Sequence, residues 1–430
     1  MITLRQLRLI VELSVPAIIT NVTTPILALT DVAIAGHFGS AVFLAAIAVG
    51  STMFSTLFWL FGFLRMGTSG MTAQAFGAND TLGAHAMLAK SLMVASLIGV
   101  LFVAFQSQLC SLLLSLLDVD SHTAKIAQQY FLIVIWSAPA LLGMYSLTGW
   151  FVGMQDSRTP MWVSLLVNIL NIAASIVFVF VFSLKIEGIA YGTLLAQWVG
   201  FLVALFLAVR RYGFRWLPIG KLLEGLSSFF KVNTDIFFRT ACIVTVTLWF
   251  TRAGATQGAT MLAVNTLLMQ LFTLYSYFMD GLAFASEALC GRYLGAFDYK
   301  ELNRSVRTQF VVGLAIAIIF TLLYIVGSEW VMGVLSSEKE VVSIASKYAV
   351  WAMMVPICGF GAILWDGVFI GLTRTRMMLL SMVIAMAVFF LLYSLLVPTL
   401  GNHGLWIAFL SYLLTRGLVL SFAGRKYMIR

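Results

Sequence analysis

The residues best able to do chemistry in this chain are a few acids, amides and hydroxyls, and one arginine, set inside long apolar runs. Asp31 lies in TPILALTDVAIAG, with Pro25 before it and Gly36 after it. A carboxylate at the centre of a membrane-spanning helix costs on the order of 2.5–3.5 kcal/mol on insertion scales, so its presence needs a reason. Either Asp31 is an interfacial aspartate near a helix end, or it is a protonatable site. A carboxylate desolvated by apolar neighbours can bind and release a proton near neutral pH. Asn168, Asn171 and Ser175 in VNILNIAAS recur at i, i+3 and i+7, which puts them on one helix face. That stripe serves either helix-to-helix hydrogen bonding or a polar cavity wall. Thr193 and Gln197, at i and i+4 of the next apolar run, are candidates to line the same cavity, with packing glue as the plain alternative.

The second half of the chain holds a different set: Asn233, Asp235 and Arg239 in one run, Asp280 and Glu287 in the next, and Asp366 further on. Arg239, Asp280 and Asp366 each fall about five to eleven residues from the ends of their runs taken as cytoplasmic, so they are expected to share one depth. A buried arginine with two carboxylates reads as a neutralising network, either a static ion cluster or a working one. Glu12 and Pro16 are read as an interfacial charge and a tolerated kink. His37, His85, His122 and His403 all fall near loops, and neither an HExxH nor a Ser–His arrangement occurs, which argues against an intramembrane enzyme. No GxxxxGK[ST] phosphate loop supports a primary pump, and nothing resembles a channel filter. Cys110, Cys242, Cys290 and Cys358 stand singly in apolar stretches and read as buried small residues, with no metal site among them.

The elements that must position these groups follow from composition. Of 430 residues, 61% are hydrophobic and 10% charged, and mean hydropathy is +1.00. That is far from a soluble domain and suits a chain solvated by lipid. Apolar runs long enough for a hydrocarbon core of about 30 Å fall near 8–35, 43–76, 87–116, 121–152, 159–183 and 188–210. A second set falls near 228–252, 259–289, 303–327, 340–371, 376–398 and 404–424. The N-terminus MITLRQLRLIVEL lacks a signal-peptide pattern and reads as the start of the first helix. With both termini taken as cytoplasmic, inner segments carry twenty Lys and Arg against five in outer segments, leaving aside Arg239 within its span. The positive-inside rule therefore expects a multi-pass protein of the cell's inner (plasma) membrane with both ends inside. The net charge of +9 has the same origin, and no basic domain stands apart to suggest a nucleic-acid partner.

The segment 211–231 is the longest polar interruption and is read as a cytoplasmic linker between six-helix lobes at 1–210 and 232–430. An offset of 218 aligns Gly36 with Gly254, Leu44 and Ala45 with Leu262 and Ala263, and Gly77, Ala78 and Asp80 with Gly295, Ala296 and Asp298. Gly149 and Gly153 likewise align with Gly367 and Gly371. After a two-residue deletion, Arg158, Thr159 and Met161 align with Arg374, Thr375 and Met377, and Gly188 with Gly404. The expected fold is an all-α integral membrane protein, with twelve transmembrane helices in two pseudo-twofold-related lobes. Parallel repeats of this kind mark secondary transporters, with substrate at the repeat interface or within one half.

The strings NTDIFFRT, YSYFMDGLAFASEALCGRYLGAFD and WDGVFIGLTRTRMM, together with TDVAIAGHFG, NILNIAAS and EGIAYGT, closely resemble the DinF-like branch of the multidrug and toxic compound extrusion (MATE) family. The resemblance covers nearly the whole chain. It implies an antiporter, driven by protons in this branch, that exports small organic, cationic or lipophilic compounds by alternating access. The expected state is a monomer without a cofactor beyond the coupling ion. The family's aspartate of helix 1 corresponds to Asp31 and its asparagine of helix 5 to Asn171. Its usual helix 5 aspartate falls on Ser175, which cannot carry charge. Asp31 is thereby left as the obvious acid of the first half, and Na⁺ coupling stays open beside proton coupling. A flippase of lipid-linked precursors from the same superfamily is the alternative, although it would want more basic residues along the cavity.

Overall fold

The computed structural model describes the backbone of residues 3–36, 41–117, 120–215, 217–335 and 338–428; within these, the side chains of 24–36, 41–42, 219, 221 and 426–428 fall outside the description. The first half holds α1 (Leu4–Gly36), α2 (Phe43–Gly77), α3 (Thr81–Ala104), α4 (Ser121–Gly153), α5 (Arg158–Val181) and α6 (Lys185–Tyr212). The second holds α7 (Leu226–Thr256), α8 (Ala259–Gly295), α9 (Tyr299–Leu335), α10 (Lys339–Gly371), α11 (Thr375–Leu400) and α12 (Asn402–Met428). These are the expected twelve spans. Helices are the natural solution here, because in lipid each backbone polar group must be satisfied within its own segment. Large apolar side chains such as Leu322, Ile325, Val326 and Trp330 of α9 stay exposed, as a lipid-facing surface requires.

Local chemistry shapes the interruptions. In α2 a 3₁₀ turn at Leu60–Gly62 breaks the regular ladder, and in α4 another at Ile135–Ser137 ends two residues before Pro139, which has no N–H to donate to the ladder. The third span starts six residues earlier than apolarity alone predicts, at Thr81, because Asp80 accepts the N–H of Gly83 at 2.8 Å and caps it. It then breaks at Phe105 before a short helix, Gln106–Leu117. Asp120 caps α4, and its hydrogen bonds from Thr123, side chain and then backbone, hold its carboxyl below the usual range.

The chain forms two compact units, 19–230 and 1–18 with 231–430, so α1 contributes its first residues to one and the remainder to the other. In the second unit, the buried Gln6 side-chain amide donates to Tyr293 Oη at 2.9 Å and to Glu301 Oε2 at 2.6 Å. In the first, part of the inter-helix segment packs inward. Phe214 and Leu222 join the core built on Leu88, Leu147 and Trp150, and Lys90 Nζ donates to the carbonyl of Glu224.

The sequence repeat is also a packing repeat. A Cβ on Gly149 would strike the carbonyl of Arg65, and one on Gly153 would lie 2.7 Å from that of Ser69. Offset by 218, Gly367 meets the carbonyl of Ala283, and Gly371 that of Glu287 at 2.6 Å. So α4 crosses α2 as α10 crosses α8, backbone against backbone, which small residues permit in membranes. The turns repeat as well. Asn79 and Phe297 both have positive φ, 56° and 55°, and so do Gln155 and Thr373, 64° and 51°.

Candidate functional site

In the first unit, α5 and α6 converge on a polar node. Asn171 donates Nδ2 to Thr193 Oγ1 at 3.0 Å, and Ser175 donates its hydroxyl to Asn171 Oδ1 at 3.4 Å. Thr193 donates in turn to the carbonyl of Ile189 at 3.2 Å. Asn171 and Ser175 are fully buried, and a Cβ on Gly192 would lie 2.8 Å from the Ser175 backbone nitrogen, so the two helices touch here. Donors and acceptors are matched, which lets a neutral polar cluster persist in a dry bundle. Asn168, half-buried, reaches the carbonyl of Thr23 on α1 at 3.4 Å, and Gln197 lies half-buried one turn beyond Thr193. α1 also carries Asp31, whose side chain lies outside the described residues. With the offset of 216 the repeat partners of Asn171, Ser175 and Thr193 are Ala387, Leu391 and Phe409, so this node belongs to one half alone.

The second unit carries charge instead. Asp366 on α10 accepts from Arg239 Nη2 on α7 and, through the same Oδ2, from Arg416 Nη2 on α12 at 2.6 Å. All three side chains are under one-tenth exposed. Spacing brought Arg239 and Asp366 forward; Arg416 was visible only as one of many basic residues. The available signal was its place inside the apolar run SYLLTRGLVLSF, the same criterion that singles out Arg239. Asp235 accepts from Thr375 Oγ1 at 2.9 Å, which ties α7 to the start of α11. Asp280 is half-buried within electrostatic range of Tyr275 and Tyr277. Asn233 is buried on α7 and Glu287 on α8, where the Glu287 carbonyl lies under Gly371.

Two repeated sets of spanning helices, with polar and ionisable groups held inside the lobes, define a multi-pass membrane transporter. The MatE family model matches twice, over residues 16–177 and 236–396, once in each half, and the chain belongs to this family. It is 33% identical over 421 residues to DNA damage-inducible protein F of Escherichia coli (strain K12), covering 97% of this chain and 91% of that protein. To multidrug resistance protein MdtK of Photorhabdus laumondii it is 23% identical over 428 residues, covering 95% and 92%. Its fold matches an outward-facing multidrug resistance MATE family transporter of the MOP superfamily with a TM-score of 0.88, at 19% identity over 98% of this chain and 96% of that one. Proteins of this family are transporters and not enzymes.

Proposed function

We propose that this chain is a proton-driven antiporter that exports organic, cationic or lipophilic, compounds by alternating access. It works as a monomer with both termini in the cytoplasm, and Asp31 carries the coupling proton. The observation that supports this most is the make-up of the first-half node. Asn171, Ser175 and Thr193 satisfy one another without a carboxylate, and Asn168 reaches α1 at Thr23, eight residues before Asp31. Glu12 pairs with Arg8 near the start of α1, which leaves Asp31 as the obvious acid of the first-half site. Asp366 in the second lobe is already engaged, accepting from Arg239 and Arg416 through one oxygen.

The test is proton flux in liposomes holding the purified protein. Adding substrate should release a proton gradient in the wild type, and Asp31→Asn should abolish both export and flux while the protein still folds and inserts. Full export by normally expressed Asp31→Asn would refute the assignment. Export that follows an imposed Na⁺ gradient, with no response to a proton gradient, would assign the coupling to Na⁺.

A further inference from the structure

At the end of the first unit where α2, α4 and α6 begin and α5 ends lies an open cavity of about 370 Å³. Phe43 of α2 and Ile126 of α4 wall it, with His122 and Gln129 of α4 and Lys185 and Glu187 of α6 around them. That is the size of a small-molecule site, with a few polar groups set among apolar ones. No residue of the Asn171 node lines it.

The second lobe builds this corner differently. At the offset of 216, Gly401 stands for Lys185 and His403 for Glu187. There the His403 ring lies 4.6 Å from that of Tyr348, and Trp351 Nε1 donates to His403 Nδ1 at 2.9 Å. The first lobe puts charges in those places, against local preference. Lys185 has a φ of 23°, in the left-handed region where its repeat partner Gly401, φ 56°, is at ease. A cation as the first residue of α6 also opposes the helix dipole, which Glu187 in the same turn suits. Backbone strain held beside a cavity belongs with function.

The lining says which ligand. Among the described residues neither Lys185 nor Glu187 forms an ion pair, and His122 lies within electrostatic range of Asp120. Two residues apart at a helix start, Lys185 and Glu187 do not face each other, so the cavity offers one cation and one anion as separate partners for a zwitterion. Beside it, Val181 and Phe182 at the end of α5 are exposed apolar residues of the kind that lipid tails cover. The cavity therefore lies where spanning helices meet the headgroup layer.

We infer that this cavity binds the headgroup of a zwitterionic phospholipid with a primary amine, phosphatidylethanolamine. Lys185 Nζ donates to the phosphate, Glu187 accepts from the ammonium, and the acyl chains lie along Val181 and Phe182. Charge-assisted hydrogen bonds of both signs select this headgroup. A choline keeps the positive charge but has no N–H for Glu187, and a glycerol headgroup lacks the cation. The lipid is a partner of the first lobe, and its binding does not depend on what the protein exports.

The experiment is native mass spectrometry of the purified full chain in detergent, titrated with phosphatidylethanolamine, phosphatidylcholine and phosphatidylglycerol of identical acyl chains. The wild type should bind its first phosphatidylethanolamine about tenfold more tightly than phosphatidylcholine, as expected of one charge-assisted hydrogen bond. Glu187→Gln should erase that preference and leave phosphatidylcholine binding unchanged. Lys185→Gln should weaken both zwitterionic lipids alike, since each carries the phosphate. Lys185→Gly should weaken them too without lowering the melting temperature of the lipid-free protein, because glycine suits the positive φ. Equal affinity of the wild type for phosphatidylethanolamine and phosphatidylcholine, a result that needs no variant to fold, overturns the inference. Tighter binding of phosphatidylglycerol than of phosphatidylethanolamine overturns it as well, because that is general attraction to basic side chains. A preference that persists in Glu187→Gln places the lipid elsewhere on the protein and also overturns it.

Discussion

Asn171 on α5 and Thr193 on α6 are joined by a 3.0 Å hydrogen bond in which the buried amide donates to the hydroxyl. Thr193→Val keeps the shape and deletes the acceptor. The Asn171 N–H is then buried and orphaned, which costs roughly 1–3 kcal/mol. Thermal unfolding in detergent should show that loss for Thr193→Val, and Thr193→Ser should recover most of it. A Thr193→Val protein as stable as the wild type would mean the node does not hold α5 to α6.

Ser175→Asp should be tolerated and should move the pH dependence of transport. Ser175 is fully buried against Asn171 and Gly192 and so does not face lipid, where a new carboxylate would cost a few kcal/mol. Beside Asn171 the aspartate gains an amide partner. If it couples to Asp31, the two acids titrate as a unit, and the pH optimum of flux shifts. A well-expressed variant with an unchanged pH profile would mean that position 175 does not communicate with Asp31.

Asp366→Asn should destabilise far more than Arg416→Gln. Removing Arg416 leaves a neutral Arg239–Asp366 pair, whereas removing the carboxylate leaves two buried guanidiniums on one amide. Loss of a carboxylate shared by two buried guanidiniums costs about 3–5 kcal/mol. The two variants can be ranked by melting temperature and by recovery of monodisperse protein. Equal effects would show that the charge of Asp366 is balanced from elsewhere.

Gly149→Ala and Gly367→Ala should be damaging to a similar degree, because each methyl group would press on a backbone carbonyl, of Arg65 in one lobe and Ala283 in the other. Overpacking of this kind costs typically about 1–3 kcal/mol, since backbone cannot swing away as a side chain can. Gly62→Ala in α2, with open space around its Cβ position, is the control and should be close to neutral. Expression and melting temperature decide the matter, and a harmless Gly367→Ala would contradict the close crossing of α8 and α10.

Much of this protein was legible before folding. Hydrophobic runs mark the twelve spans because lipid thickness sets their length, and the offset of 218 marks the duplication because turns and close crossings demand the same residues twice. Periodicity also put Asn171 and Ser175 on one face, which the buried node bears out. Helix spacing gives depth and relative azimuth within one helix. It says nothing about how one helix is rotated against its neighbours. Arg239 and Asp366 were matched by depth, but Arg416, fifty residues from Asp366, joins them only because α10 and α12 lie side by side with Arg416 turned inward. The same limit hid the bond from Asp235 to Thr375 and the grip of Gln6 on Tyr293 and Glu301, partners 140, 287 and 295 residues apart. Composition and period are properties of single segments and can be read along the chain. Which polar groups share a bond depends on the rotation and crossing of whole helices, and the packing of all their side chains together decides that.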